Sequence, residues 1–116
     1  MGDFGERMAV ARLEATGMRV LARNLRTPSG EIDIVAEDGD DIVFIEVRTR
    51  RAADGVAFES LDDRKLRRMW QCAMEWCEAA DMGPERARID VVTVEVQADG
   101  RLGQVVHTRG MEIPEE

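Results

Sequence analysis

The chain has 116 residues, enough for one hydrophobic core and too few for two that close independently. With 44% apolar and 34% charged residues it reads as a soluble globular domain, and no apolar run approaches the ~20 residues of a membrane span. The formal charge of −8 argues against a phosphate-bearing partner, but much of the acid falls in Glu37, Asp38, Asp40 and Asp41 and in Glu112, Glu115 and Glu116.

Residues 2–17 place Ala9, Val10 and Leu13 at helical spacing, with Gly17 as the stop signal. Nothing ahead of them has the basic-then-apolar form of a secretory leader, so the cytoplasm is the expected compartment. Glu6, seven residues before Leu13, projects from the apolar stripe. It is either a first-turn acid favoured by the helix dipole or a functional carboxylate. Met18 to Leu25 reads as a first strand with Arg19, Arg23 and Arg26 around it, closed by Pro28-Ser29-Gly30. Glu31 to Ala36 is a second strand, with Ile32 and Ile34 expected on one face and Glu31, Asp33 and Val35 on the other.

An acidic turn from Glu37 to Asp41 joins this to a third strand, Ile42 to Arg48, apolar on both faces as a central strand is. Glu46 and Arg48 interrupt that run, on the face of Ile42 and Phe44. If the turn centres on Gly39-Asp40, Asp33 lies opposite Glu46; one residue earlier, Glu31 takes that place. Carboxylates so placed need a cation between them, a raised pKa, or a partner such as Arg48.

Residues 52–61 read as a loop, and Ser60 to Asp63 has the form of a capping box. A second helix then runs to about Ala80, its apolar stripe formed by Leu66, Met69, Trp70, Ala73, Cys77 and Ala80. Lys65 in its first turn is either solvated or within reach of the acids, while Arg64, Arg67 and Arg68 lie off the stripe. Cys72 and Cys77 suit neither a disulfide nor a metal pair and read as reduced core thiols. Gly83-Pro84 ends the helix and Ile89 to Val96 is a fourth strand, whose Asp90 reads as a satisfied structural carboxylate. The stretch after Gly100, with His107, suits a short edge strand, and 110–116 a flexible acidic tail.

The order is helix, three strands, helix, strand, with acids on the second and third strands. The stretches Gly5-Glu6, Ala22-Arg23-Asn24, Gly30-Glu31-Ile32-Asp33, Phe44-Ile45-Glu46-Val47-Arg48-Thr49-Arg50, Lys65 with Arg68, and Arg88-Ile89-Asp90-Val91-Val92 span nearly the whole chain. Together they resemble the YraN-like bacterial family, which is placed in the restriction-endonuclease-like (PD-(D/E)XK) superfamily and is similar in plan to archaeal Holliday-junction resolvases. The resemblance implies a single nuclease-like α/β domain over 1–116, with an αβββαβ core and a mixed central sheet flanked by helices.

It further implies a Mg²⁺ or Mn²⁺ site on Asp33 and Glu46, completed by Glu6, with Glu31 a secondary candidate. Arg48 stands where the superfamily has lysine; it keeps the positive charge but titrates too high to move a proton. Arg48 joins Asp33, Glu46 and Glu6 as a candidate catalytic group, and Lys65 is a second-tier one. Arg23, Arg26, Arg50, Arg51, Arg64 and Arg68 are candidate nucleic-acid contacts, with DNA expected over RNA, no membrane partner, and a homodimer left open. The implied activity is metal-dependent phosphodiester hydrolysis, with selectivity for nucleic-acid structure as one form of it. A catalytically silent nucleic-acid-binding module and a protein-binding scaffold are the alternatives on the same fold.

Overall fold

The structure, a computed structural model, describes residues 2–51 and 61–115. Helix α1 spans Gly2–Ala15 and strand β1 spans Arg19–Thr27. Strands β2 (Gly30–Asp38) and β3 (Asp41–Arg51) follow, then helix α2 (Asp63–Ala79). A short 3-10 turn at Pro84–Arg86 leads into β4 (Ala87–Val96) and β5 (Leu102–Thr108). The strands form one sheet in the order β1-β2-β3-β4-β5. Every pairing is antiparallel except β3 with β4, which is parallel and carries α2 in its crossover.

Local chemistry sets the ends of these elements. At the end of α1, Met18 N–H donates to Leu13 C=O (3.1 Å) and Gly17 N–H to Glu14 C=O (3.0 Å), with Gly17 at φ +92°. That left-handed closure suits glycine, which has no Cβ to clash. Helix α2 opens on Asp62, whose side chain accepts from Lys65 N–H at 2.8 Å. The cap is therefore Asp62; the expected capping residue Ser60, and the expected loop up to it, lie outside the described residues.

Two apolar layers sandwich the sheet. On one face α1 buries Ala9 and Leu13 against Ile34, Val43, Ile45, Val92 and Val94. On the other, α2 buries Leu66, Met69, Ala73 and Cys77 against Ile32, Val35, Ile42, Phe44 and Val91. Trp76 meets Phe44 edge to face with ring centroids 5.6 Å apart. Cys72 belongs to this buried stripe, whereas Ala80, expected in it, is exposed past the helix end. Both thiols are free and buried.

The expected alternation of β2 does not hold. Ile32 packs in the α2 layer and Ile34 in the α1 layer, so the two do not share a face. The break coincides with a special backbone position across the sheet: Asn24 takes φ 53° between the pairs Arg23–Ile34 and Leu25–Ile32, opposite Asp33. Asparagine tolerates that left-handed conformation, and the regular alternation of side chains is broken at this point of the strand pair. Residues 110–113, expected as part of a flexible tail, lie back on the core: Met111 N–H donates to Ile89 C=O at 2.7 Å, and Met111 and Ile113 pack against the α2 layer. Among the described residues, no helix is long and apolar enough to cross a membrane.

Candidate functional site

The turn at Gly39-Asp40 sets the register of β2 on β3, pairing Asp38 with Asp41 and Ile34 with Ile45. Carried one step further, that register puts Asp33 opposite Glu46, and the alternative with Glu31 in that place is excluded. The pairing ends at this step. Val47 N–H, which a β2 carbonyl would otherwise take, donates to Asp33 Oδ2 at 2.8 Å. The Asp33 side chain thus occupies the fork where β2 leaves β3, and its carboxyl lies within hydrogen-bond reach of that of Glu46.

Burial raises the Asp33 pKa above the ordinary aspartate value, against the Val47 N–H, and the neighbouring Glu46 charge raises it further; the Lys65 charge pulls the other way. Lys65 reaches over from the first turn of α2 to pair directly with Glu46, whose side chain is 13% exposed. Lys65 is thus both partly solvated, its side chain 38% exposed, and within reach of the acids. Arg48 follows Glu46 on the same face of β3, half-buried.

Glu6 does not complete a three-carboxylate cluster. No group of three or more metal-ligating side chains occurs among the described residues. Glu6 instead faces β1, with Arg23 at 3.6 Å and, once the Asn24 amide is turned to donate, the Asn24 nitrogen 3.3 Å from both of its oxygens. Gly5 allows this placement, since a Cβ there would collide with Thr49 Oγ1 on β3. Asn24 is a site neighbour to which sequence reasoning assigned no role, its signals being its place in the Ala22-Arg23-Asn24 stretch and an asparagine inside a strand-like run.

Other candidates lie apart. Glu31 is exposed and 3.9 Å from the still more exposed Arg26. Arg23 also pairs with Asp3 at 3.2 Å. Arg51, Arg64 and Arg68 are exposed, with Arg64 and Arg68 lining a groove beside Arg67 and Trp70 on α2. Arg50 is half-buried on the same face of β3 as Glu46.

A second charged centre lies on the α1 side of the sheet. Asp90, fully buried, accepts from Arg88 Nε and an Arg88 terminal nitrogen (both 3.0 Å) and from Gly110 N–H (2.9 Å), and it lies 2.7 Å from His107 Nε2. Arg88 also bonds Asp38 and Asp41 beside the hairpin turn, at 2.9 and 3.0 Å. Burial opposes the Asp90 charge, yet His107, Arg88 and Gly110 together hold its carboxyl below the ordinary aspartate value. The structural reading of Asp90 stands on that full set of donors.

The profile of the Uncharacterised protein family UPF0102 matches residues 5–94. A UPF0102 protein of Kineococcus radiotolerans is 46% identical over 113 residues, covering 96% of this chain and 92% of that one. One from Paenarthrobacter aurescens is 47% identical over 112 residues, with the same coverage of 96% and 92%. The likeness to a solved structure of Pyrococcus furiosus SfsA in complex with Ca²⁺ is too slight to bear on the site, with TM-score 0.38 and 17% identity over 93% of this chain and 60% of that one. By the family match and by these relatives, the chain belongs to the uncharacterised protein family UPF0102.

Proposed function

We propose that this protein is a metal-dependent nuclease of the restriction-endonuclease-like type, acting on nucleic acid and on DNA before RNA. One observation carries the reading: the Asp33 and Glu46 carboxyls converge on one face, and Asp33 has a raised pKa because burial and its neighbour oppose its charge. Like charges so placed await a cation. The residues fit Mg²⁺ or Mn²⁺, whose hard-oxygen preference is met by two carboxylates, since such ions keep several waters and take further oxygens from substrate phosphate. Glu6, held by Arg23 and Asn24, supports α1 beside the site and is not needed as a ligand.

A divalent cation on Asp33 and Glu46 would lower the pKa of a bound water and offset charge on the phosphoryl group. The chain's own residues supply the rest. Val47 N–H fixes the Asp33 carboxylate in place. Lys65, paired with Glu46, brings to the site the ammonium that Arg48 cannot, and turning from Glu46 to a phosphate oxygen costs it one ion pair for another. Arg48 keeps a fixed positive charge on the same face.

The test is cleavage of linear, flapped and four-way DNA with Mg²⁺ or Mn²⁺. Cleavage is expected in wild type and lost in Asp33→Asn, with a metal-induced rise in Tm that the same variant abolishes. No cleavage and no metal-dependent Tm would sink the reading. A second reading rests on the Lys65–Glu46 pair, which already neutralises one of the acids. On it the protein binds nucleic acid without cutting, and salt-dependent binding with no cleavage is the expected result.

A further inference from the structure

Beyond the first turn of α2, the sheet face that carries Glu46 continues into a pocket of about 350 Å³ lined by Arg50, Thr93, Glu95, Gln104, Val106 and Thr108. Two of its donors are unused. Thr93 is 6% exposed, and both its Oγ1 and the Nε of Arg50 are buried without a hydrogen-bond partner among the described residues. Folded interiors leave few such groups, and those that persist call for an explanation. The neighbouring carboxylate does not provide one. Glu95 is the register partner of Arg50 across β3 and β4, yet the two form no ion pair among the described residues. Glu95 Oε1 instead leans over β5, 2.9 Å from where a Cβ on Gly103 would stand.

The Arg50 Nε–H and the Thr93 hydroxyl, both unpartnered among the described residues and both carried by residues that line one pocket, suit an oxyanion. The position suits a chain of them. Glu46, Arg48 and Arg50 alternate along one face of β3, so Arg50 lies about 13 Å beyond Glu46 at the rise of an extended strand. Thr93 is the β4 register partner of Arg48, which puts the hydroxyl between the two ends of that path. We propose that this pocket is a phosphate subsite, centred on Arg50 and Thr93, that holds a phosphodiester further along the strand whose reacting phosphate sits at Asp33 and Glu46. It rests on the nucleic-acid reading of the site and names how that substrate is tracked.

The experiment compares wild type with Arg50→Met and Thr93→Val in EDTA, so that cleavage does not intervene. The readouts are fluorescence anisotropy with labelled oligothymidylate and flapped DNA, and thermal unfolding. Each variant is expected to weaken DNA binding on the order of tenfold, the loss of a hydrogen bond to a charged group. Arg50→Met should also flatten the dependence of log Kd on log salt by about one unit. Both variants should melt at or above wild type, because an apolar atom replaces an unsatisfied polar one. Undiminished affinity in both variants overturns the subsite while leaving the nucleic-acid reading in place, and so does a clear fall in the Tm of Thr93→Val, which would mean that the hydroxyl had a protein partner. If wild type binds no DNA, the nucleic-acid reading falls separately, and a titration with inorganic phosphate followed by NMR decides the pocket. Saturable shifts at the Thr93 amide and the Arg50 Nε–H, absent in Arg50→Met, keep it as an anion site; unmoved signals remove it.

Discussion

Asp90 and Asp33 are both aspartates set one strand away from the middle of β3, yet the molecule treats them in opposite ways. Asp90 is closed in by Arg88, His107 and Gly110, and its charge is held below the ordinary aspartate range despite complete burial. Asp33 accepts from Val47 N–H and faces a second acid; burial and that acid raise its pKa. A buried charge with its partners complete belongs to the framework, because removing any partner strands the others. A charge left in conflict costs stability and is retained where chemistry needs it.

The largest expected effect breaks the framework half of this contrast. Asp90→Asn takes the buried charge away from Arg88, His107 and Gly110 while Arg88 keeps Asp38 and Asp41, and is expected to cost about 1–3 kcal/mol, read as the urea midpoint at pH 7. A cost well under 1 kcal/mol would show that the two aspartates are not different in kind.

Acidification sharpens the contrast, because the two shifts have opposite signs. Asp33 has a raised folded pKa, so its ionisation destabilises the fold fully above that value, and the penalty is relieved as pH falls toward the ordinary aspartate range. Asp90 has a lowered folded pKa, so its contribution is present above the ordinary range and is lost as pH falls through the folded value. Wild-type stability should therefore rise slightly on mild acidification and then collapse. Asp33→Asn should raise Tm by a few degrees at neutral pH and abolish the rise while keeping the collapse; a pH profile identical to wild type counts against the raised pKa.

The smallest effect on stability comes from Lys65→Met. The lysine side chain is 38% exposed, so its pair with Glu46 is worth about 0.2–1 kcal/mol, measurable by chemical denaturation. Because the Lys65 charge lowers the Asp33 pKa, its removal should move the mild-acid maximum to higher pH. Loss of cleavage in this variant with the fold intact would assign the ammonium to function; cleavage at the wild-type rate would return it to the surface.

Much of this was legible because some signals are local. The juxtaposition of Asp33 and Glu46 follows from a two-residue turn at Gly39-Asp40, which fixes the register of the strands it joins. The split of Ile32 from Ile34 was not legible, since it coincides with a left-handed residue, Asn24, on another strand. The Lys65–Glu46 pair and the Asp90–His107 contact were hidden for a related reason. Each depends on where a crossover or an edge strand returns, and side-chain spacing along one segment does not carry that. Gly5 was quoted only as part of a motif, and its close approach to Thr49 became visible only when α1 was seated on β3.

The parallel junction of β3 and β4 also gives the molecule a history. The meander β1-β2-β3 is made of neighbouring hairpins, contacts that close on the order of 1–10 μs, whereas β4 must be brought alongside β3 after the whole crossover through α2. The repelling acids therefore meet early, in a fragment that has little else to hold it. The Asp90 centre ties β4 through Arg88 to the hairpin turn and through His107 and Gly110 to β5 and the C-terminal segment, so it can close only when those late pieces arrive. A latch that sets last guards the exit more than the entrance: its worth lies in how slowly the native protein opens, and the strained acids are kept together by a clasp on the far side of the sheet.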